Sequence, residues 1–193
     1  QMIAERGMFP SPQQRQCTSD LKRGPIERTI RHITRERKAA GVRDWGLVVN
    51  CMGMRAEESS SRAKLETFKL NNGNSKAGRE WYDWLPIHDW TTEQVFDVIK
   101  AAGQRPHRVY ELGMSRFSCV FCIMASEADL KTAARLATEQ PELLNDPDLY
   151  RKYVGLEKST GQVMLMPKNG VRRGLEEITG VRAERGVSAS QCC

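Results

Sequence analysis

The 193-residue chain has no apolar run approaching the length of about eighteen residues that a membrane-spanning helix needs. Near its N-terminus there is no basic stretch followed by an apolar one, so no secretory signal is expected. It opens on Gln1 rather than Met, and its natural beginning is expected upstream. Aromatic residues are few, at 7%, so Trp45, Trp81, Trp84 and Trp90 read as packing residues rather than as a base-stacking platform. No glycine-rich phosphate cradle is present. Internal repeats are absent as well, which excludes solenoid architectures. What remains, 39% hydrophobic and 28% charged, suits a globular protein able to bury a core without disulfides, and a cytoplasmic setting is expected.

The charge is uneven. The chain carries +6, and so does the segment from Lys22 to Arg43 alone, where Glu27 and Glu36 are the only acids. Such an excess favours an anionic partner: a nucleotide, a nucleic acid or a sulfate ester. The plainer alternative is a solvated helix face.

Six cysteines in a cytoplasmic chain are poor evidence for disulfides, and their spacing says more than their number. Cys119-Val-Phe-Cys122 is a CxxC; Cys17 and Cys51 stand alone, and Cys192 and Cys193 close the chain. By itself a CxxC fits zinc, iron–sulfur, redox chemistry or coincidence.

A helix is expected from Pro25, a residue suited to the first helical position, to Lys38. Ile26, Ile30 and Ile33 form its expected buried stripe, and Arg28, Arg31, Arg35 and Lys38 a separate basic one. Gly46-Leu-Val-Val-Asn-Cys51 reads as a strand buried on both faces, as in a parallel sheet. Helix and buried strand together indicate an α/β layer architecture. Ligands in such sheets sit beyond the carboxyl ends of strands, here the polar segment from Met52 to Arg62. Phe68-Lys-Leu70 and Glu80-Trp-Tyr-Asp-Trp-Leu85 flank a turn-rich stretch and read as a hairpin or an extended excursion. Thr91-x-x-Gln94 is a capping box opening a helix that Gly103 closes. Ser126 with Asp129 opens another, to about Thr138. A third starts at Asp146-Pro147, with Leu149, Tyr153, Val154 and Leu156 as packing positions.

Three of these segments resemble, in order, the phosphoadenosine phosphosulfate (PAPS) and adenylylsulfate reductases and their relatives in sulfur transfer. Cys17-Thr-Ser-Asp-Leu-Lys-Arg-Gly-Pro25 is similar to the family's Cys-Cys, Lys and Pro-Leu segment, with Thr18 where the second cysteine belongs. Gly53-Met-Arg-Ala-Glu-Glu-Ser-Ser-Ser-Arg62 looks like the family's Gly-x-Arg-x-x-(Glu/Gln)-Ser-x-x-Arg. Leu85-Pro-Ile-His-Asp-Trp-Thr91, followed by His107, Tyr110, Gly113, Arg116 and Cys119-x-x-Cys122, is similar to the family's closing segment. Cys17-Thr18 and Met124-Ala-Ser126 look closer to phage-borne and DNA-phosphorothioation-type members.

The resemblance covers about residues 9 to 125 and implies the C-terminal portion of a Rossmann-like, adenine nucleotide alpha-hydrolase-like parallel sheet with flanking helices. A helical extension (126–180) and a mobile tail (181–193) would follow. The family's N-terminal phosphate loop is missing, so an upstream portion or a separate subunit is expected to supply it.

The implied chemistry is sulfur metabolism on an adenylylated substrate or sulfonucleotide, with ATP or a sulfonucleotide as ligand. Lys22, Arg55, Glu58, Ser59, Arg62 and Arg116 would form the anion site, because guanidinium forks match phosphate and sulfonate oxygens. Cys17, Cys119 and Cys122 would hold an iron–sulfur cluster of the 4Fe-4S type. The fourth corner is either Cys51 or an open iron, and an open iron fits sulfur transfer better than reduction. Zinc is the competing metal, with His107 as a further candidate ligand. Cys193 and Cys192 are candidate nucleophiles, though their flanks depart from the family's C-terminal arm. His88 is expected to orient its loop rather than act as a base. Two other readings stay open: a sulfurtransferase that modifies nucleic acid, tracking phosphates with the basic helix 25–38, and a non-catalytic binding module with a structural zinc.

Overall fold

The computed structural model describes residues 2–183. They form two compact units: Asp20–Pro106, and a second made of the chain's two ends, up to Ser19 and from His107 onward. In chain order the helices are α1 (Met2–Arg6), α2 (Gln16–Thr18), α3 (Gly24–Ala39), α4 (Ser60–Ala63) and α5 (Thr92–Ala101). They continue with α6 (Glu127–Glu139), α7 (Leu149–Thr160) and α8 (Leu175–Thr179). The strands are β1 (Leu47–Cys51), β2 (Phe68–Leu70) and β3 (Glu80–Trp84).

The Asp20–Pro106 unit is built on a sheet of order β1-β3-β2. β1 and β3 run parallel, from Leu47 opposite Glu80 to Cys51 opposite Trp84. β2 folds back antiparallel on β3, with Phe68 opposite Trp84. The fold is therefore the expected α/β class, and the excursion between Phe68 and Leu85 is the expected hairpin-like pairing. One expectation fails. Val48 and its partner Trp81 are buried, but Leu47 and Val49 are exposed, so β1 is covered on one face only. Successive side chains of a strand alternate faces, and among the described residues a layer covers just the Val48–Trp81 side.

α3 occupies the expected span, but its isoleucine stripe does not supply a buried face. Ile26 and Ile33 are 55% and 46% exposed, and Thr34 is the helix's buried residue. The basic side chains anchor it instead. Arg31 Nη1 donates to Asn74 Oδ1 at 3.0 Å, and Lys38 Nζ sits 4.7 Å from the centre of the Trp45 ring. α5 begins as its sequence predicts. Thr91 Oγ1 accepts the Gln94 N–H at 3.2 Å while Gln94 Oε1 accepts the Thr91 N–H at 2.8 Å. Gly103, with φ +66, follows its last turn.

In the second unit, Leu130, Ala133, Ala134 and Ala137 of α6 pack with Tyr150 and Val154 of α7 and Leu175 and Ile178 of α8. The alanines leave room for the facing helices, and Phe9 and Phe121 fill the remaining space. Ser126 caps α6 by accepting the Asp129 N–H at 3.0 Å. Residues 181–183, expected at the start of a mobile tail, are tied down. Tyr150 donates to the Val181 carbonyl at 2.6 Å, and the Ala183 N–H reaches Glu176 Oε1 at 2.8 Å. Cys192 and Cys193 lie outside the described residues. No helix among those described is long and apolar enough to cross a membrane.

Candidate functional site

Cys17 sits on α2, and Cys119 and Cys122 lie in the segment before α6. All three belong to the second unit, whose core holds an aromatic group next to the CxxC. Phe121, inside the CxxC, packs its ring against Tyr150 at 5.5 Å and Tyr153 at 5.3 Å between centroids. Phe9 meets Tyr153 at 6.4 Å. The Tyr153 hydroxyl is held above the ordinary phenol range, first by burial and then by the negative charges of Cys119, Cys122 and Cys17. The charges of thiols about a hundred positions apart in sequence thus act on one phenol.

The segment carrying the pair is firmly held. Arg116 Nη2 donates to Cys122 Sγ at 3.8 Å, and the Met124 N–H points at the same sulfur at 3.4 Å. Ser115 gives its N–H and its hydroxyl to the two oxygens of Asp129. Burial pushes the Asp129 carboxyl up, but the bonds from Ser115 and Ser126 and the charge of Arg116 outweigh it, leaving the group below the usual carboxylate range. Beside the segment lies a cleft of about 150 Å³ lined by His107, Leu112, Arg116, Phe117 and Val120, with His107 stacked on Phe117 at 4.3 Å. Among the described residues, no three His, Cys, Asp or Glu side chains are grouped closely enough to hold a metal ion.

In the Asp20–Pro106 unit, the loops leaving the carboxyl ends of β1 and β3 are stitched to each other. The Met52 N–H bonds to the Trp84 carbonyl and the Ala56 N–H to the His88 carbonyl, both at 2.8 Å. Arg55 is turned inward, donating to Glu57 Oε2 at 3.3 Å and Thr92 Oγ1 at 3.1 Å. Glu57 in turn accepts the Thr92 N–H at 2.8 Å. Glu58 accepts the Arg55 N–H at 3.0 Å and pairs with the Arg62 guanidinium. Burial raises the Glu58 carboxyl, but these partners more than offset it and its acidity is increased. Ser59 caps α4 by accepting the Arg62 N–H at 3.2 Å. His88 bridges the two loops, with Nδ1 2.9 Å from Asp89 Oδ1 and Nε2 3.0 Å from the Arg62 carbonyl. It orients its loop, as its sequence position suggests.

The sequence-predicted residues therefore divide. Arg55, Glu58, Ser59 and Arg62 form one network, and Lys22 is exposed in a π-helical turn of the same unit. Cys51 is exposed at the end of β1. Cys17, Cys119, Cys122 and Arg116 belong to the other unit. Tyr153 and Asp129 are the residues that sequence reasoning underrated. Tyr153 reads as a packing position and Asp129 as part of a helix start, and nothing local links either to a cysteine.

A family model for the phosphoadenosine phosphosulfate reductase domain matches residues 10–125. The chain belongs to this family. The PAPS reductase domain so defined contains Cys17, the Arg55–Arg62 loop and the Cys119–Cys122 pair, and it ends just before α6. As a family it takes adenine nucleotide or sulfonucleotide substrates. A relative from Escherichia phage 186, described as an uncharacterized 37.8 kDa protein in gpa 5'region, is 31% identical over 186 residues. The alignment covers 96% of this chain and 52% of that relative, so the chain spans about half the relative's length. The phage source agrees with the phage-like character of Cys17-Thr18 and Met124-Ala-Ser126. No solved structure matches.

Proposed function

We propose that this PAPS reductase-family chain carries part of an enzyme of sulfur metabolism in which Cys17, Cys119 and Cys122 hold an iron–sulfur cluster. One observation supports this reading above the others: the three cysteines belong to one compact unit, and the charges of all three act on the Tyr153 hydroxyl. They are not grouped tightly enough for a single ion, but in a cluster each thiolate binds a different iron, so the sulfurs stand farther apart. The donor set, sulfur only and with a cation beside it in Arg116, suits an anionic cluster. Such a centre supplies electron transfer, or sulfide handling at an iron left open by Thr18.

The anionic substrate, an adenylylated compound or sulfonucleotide, is assigned to the loops after β1 and β3, where α/β sheets take their ligands. Arg62 is the foremost anion ligand. Its side chain is 37% exposed, and its present partner Glu58 is a carboxylate that a phosphate or sulfonate can replace. Arg55, bonded to Glu57 and Thr92, shapes the loop, and Ser59 orients Arg62 through its cap. Lys22, in the same unit, adds positive charge, whereas Arg116 belongs to the cysteine-bearing unit.

The deciding experiment is anaerobic purification and reconstitution of the full chain, with iron, sulfide and zinc analysis and a visible spectrum. A brown protein with iron and inorganic sulfide, both lost in Cys17→Ser, Cys119→Ser and Cys122→Ser, is expected. A colourless, zinc-bearing protein would instead identify a structural binding module.

A second reading, sulfur transfer to nucleic acid, is favoured by the exposed Arg28 and Arg35 of α3.

A further inference from the structure

We propose that the cleft lined by His107, Arg116 and Phe117 seats one base of single-stranded nucleic acid, with Phe117 as the stacking surface and Arg108 and Arg116 as phosphate contacts. The inference rests on the nucleic-acid reading above and deepens it, and it requires neither a metal centre nor α3. Every residue it uses belongs to the cysteine-bearing unit. Arg108 and Phe117 stand outside the motif positions that the family resemblance accounts for.

An exposed phenylalanine by itself means little, but this one is held in place. Phe117 is 60% exposed although the His107 ring lies 4.3 Å from its own, centroid to centroid. The Tyr110 hydroxyl accepts the Phe117 N–H at 3.2 Å, and His107 Nδ1 accepts the Val109 N–H at 3.3 Å. The turns carrying His107 and Arg108 are closed by the Tyr110 N–H on the His107 carbonyl at 3.1 Å and the Met114 N–H on the Val109 carbonyl at 2.9 Å. The aromatic surface is therefore presented before any ligand arrives.

Size and charge select the occupant. At about 150 Å³ the cleft is smaller than the roughly 300–1,000 Å³ of sites that enclose a whole ligand. With Leu112, Val120, Leu136 and Leu144 in its lining it admits one flat ring and leaves sugar and phosphate outside. The lining includes Arg108 and Arg116 and no acidic side chain. The Arg108 guanidinium has no hydrogen-bond or ion-pair partner among the described residues, and Arg116 gives one N–H to Cys122 Sγ and keeps its other donors. Ser118 Oγ is turned to the Cys119 carbonyl at 3.0 Å, so it does not read a base edge. Stacking plus phosphate contacts without edge readout is how proteins hold single strands irrespective of sequence. A duplex keeps its bases stacked on one another, and a free nucleotide site needs polar groups that fix the base.

The test is fluorescence anisotropy of the full chain with a labelled oligothymidylate at low salt, with thymidine monophosphate and a duplex of the same length as competitors. Phe117→Ala should weaken single-strand binding about 5- to 150-fold, the worth of one stacked base, without changing the salt slope. Phe117→Tyr keeps a ring and should bind as the wild type does. Arg108→Ala should reduce the slope of log affinity against log salt by about 0.7. Unchanged affinity in Phe117→Ala, or an equal loss for duplex, overturns the base seat and leaves the nucleic-acid reading standing. Competition by thymidine monophosphate at the oligonucleotide's own concentration overturns it in favour of a free-nucleotide pocket. A wild-type chain that binds no strand at low salt sinks both.

Discussion

Ser115 Oγ donates to the Asp129 carboxylate at 2.6 Å, and the Ser115 N–H reaches the other oxygen at 2.7 Å. The acceptor is only 2% exposed and sits in the first turn of α6. Through this pair the segment bearing Cys119 and Cys122, the last part of the family domain, is fastened to a helix outside it.

Asp129→Ala should therefore cost about 2–3 kcal/mol, because two donors of Ser115 lose their acceptor in a buried place. The contribution has a defined pH window. The folded-state carboxyl is more acidic than an ordinary aspartate at 3.8, so its stabilisation is complete above that value and fades as pH falls through the lower folded one. Urea unfolding of wild type and Asp129→Ala, from neutral to acid pH, measures both. A gap between the two that persists undiminished at the acid end would refute the assignment.

His88 gives the opposite pH dependence. Its imidazolium is favoured first by the Arg62 carbonyl and then by Asp89, with burial opposing, and its proton is held above the ordinary histidine value of 6.5. The linked stability is complete below that value and is lost as pH rises through the higher folded one. The melting advantage of wild type over His88→Gln should shrink with rising pH across the neutral range. An NMR titration of the ring should place its midpoint above 6.5. A pH-independent advantage would mean that neutral His88 does the same work.

For nucleic acid, the side chains to remove are Arg28 and Arg35. Arg31 is bound to Asn74 and Lys38 to the Trp45 ring, so altering those two would disturb the anchoring of α3. Arg28→Ala with Arg35→Ala should lower the slope of log affinity against log salt by about two for random duplex DNA, with the fold intact. Fluorescence anisotropy across a salt series reads this. Absence of binding at low salt removes the nucleic-acid reading.

Much of the fold was legible because the rules that set it are short-ranged. The Thr91/Gln94 box and the Ser126 cap act within three residues, and each closes a hydrogen bond the helix end would otherwise lack. β1 and β3 were recognisable from runs of residues that favour extended backbone. The phosphosulfate-type motifs were legible for a similar reason, since each is one contiguous segment. Other features were not. The outward isoleucines of α3 have the spacing of a buried stripe, and only the Asn74 and Trp45 contacts reveal a different anchoring.

The order of residues alone determined the element types, the helix starts, the family and the cysteines worth watching. The membership of Cys17, Cys119 and Cys122 in one unit, the one-sided cover of β1 and the engagement of Arg55 and Arg62 by carboxylates were decided by tertiary structure. The division has a physical cause. Local torsions and caps are specified by neighbours in the chain, whereas burial and the meeting of charges depend on surfaces that become neighbours only when helices and strands pack.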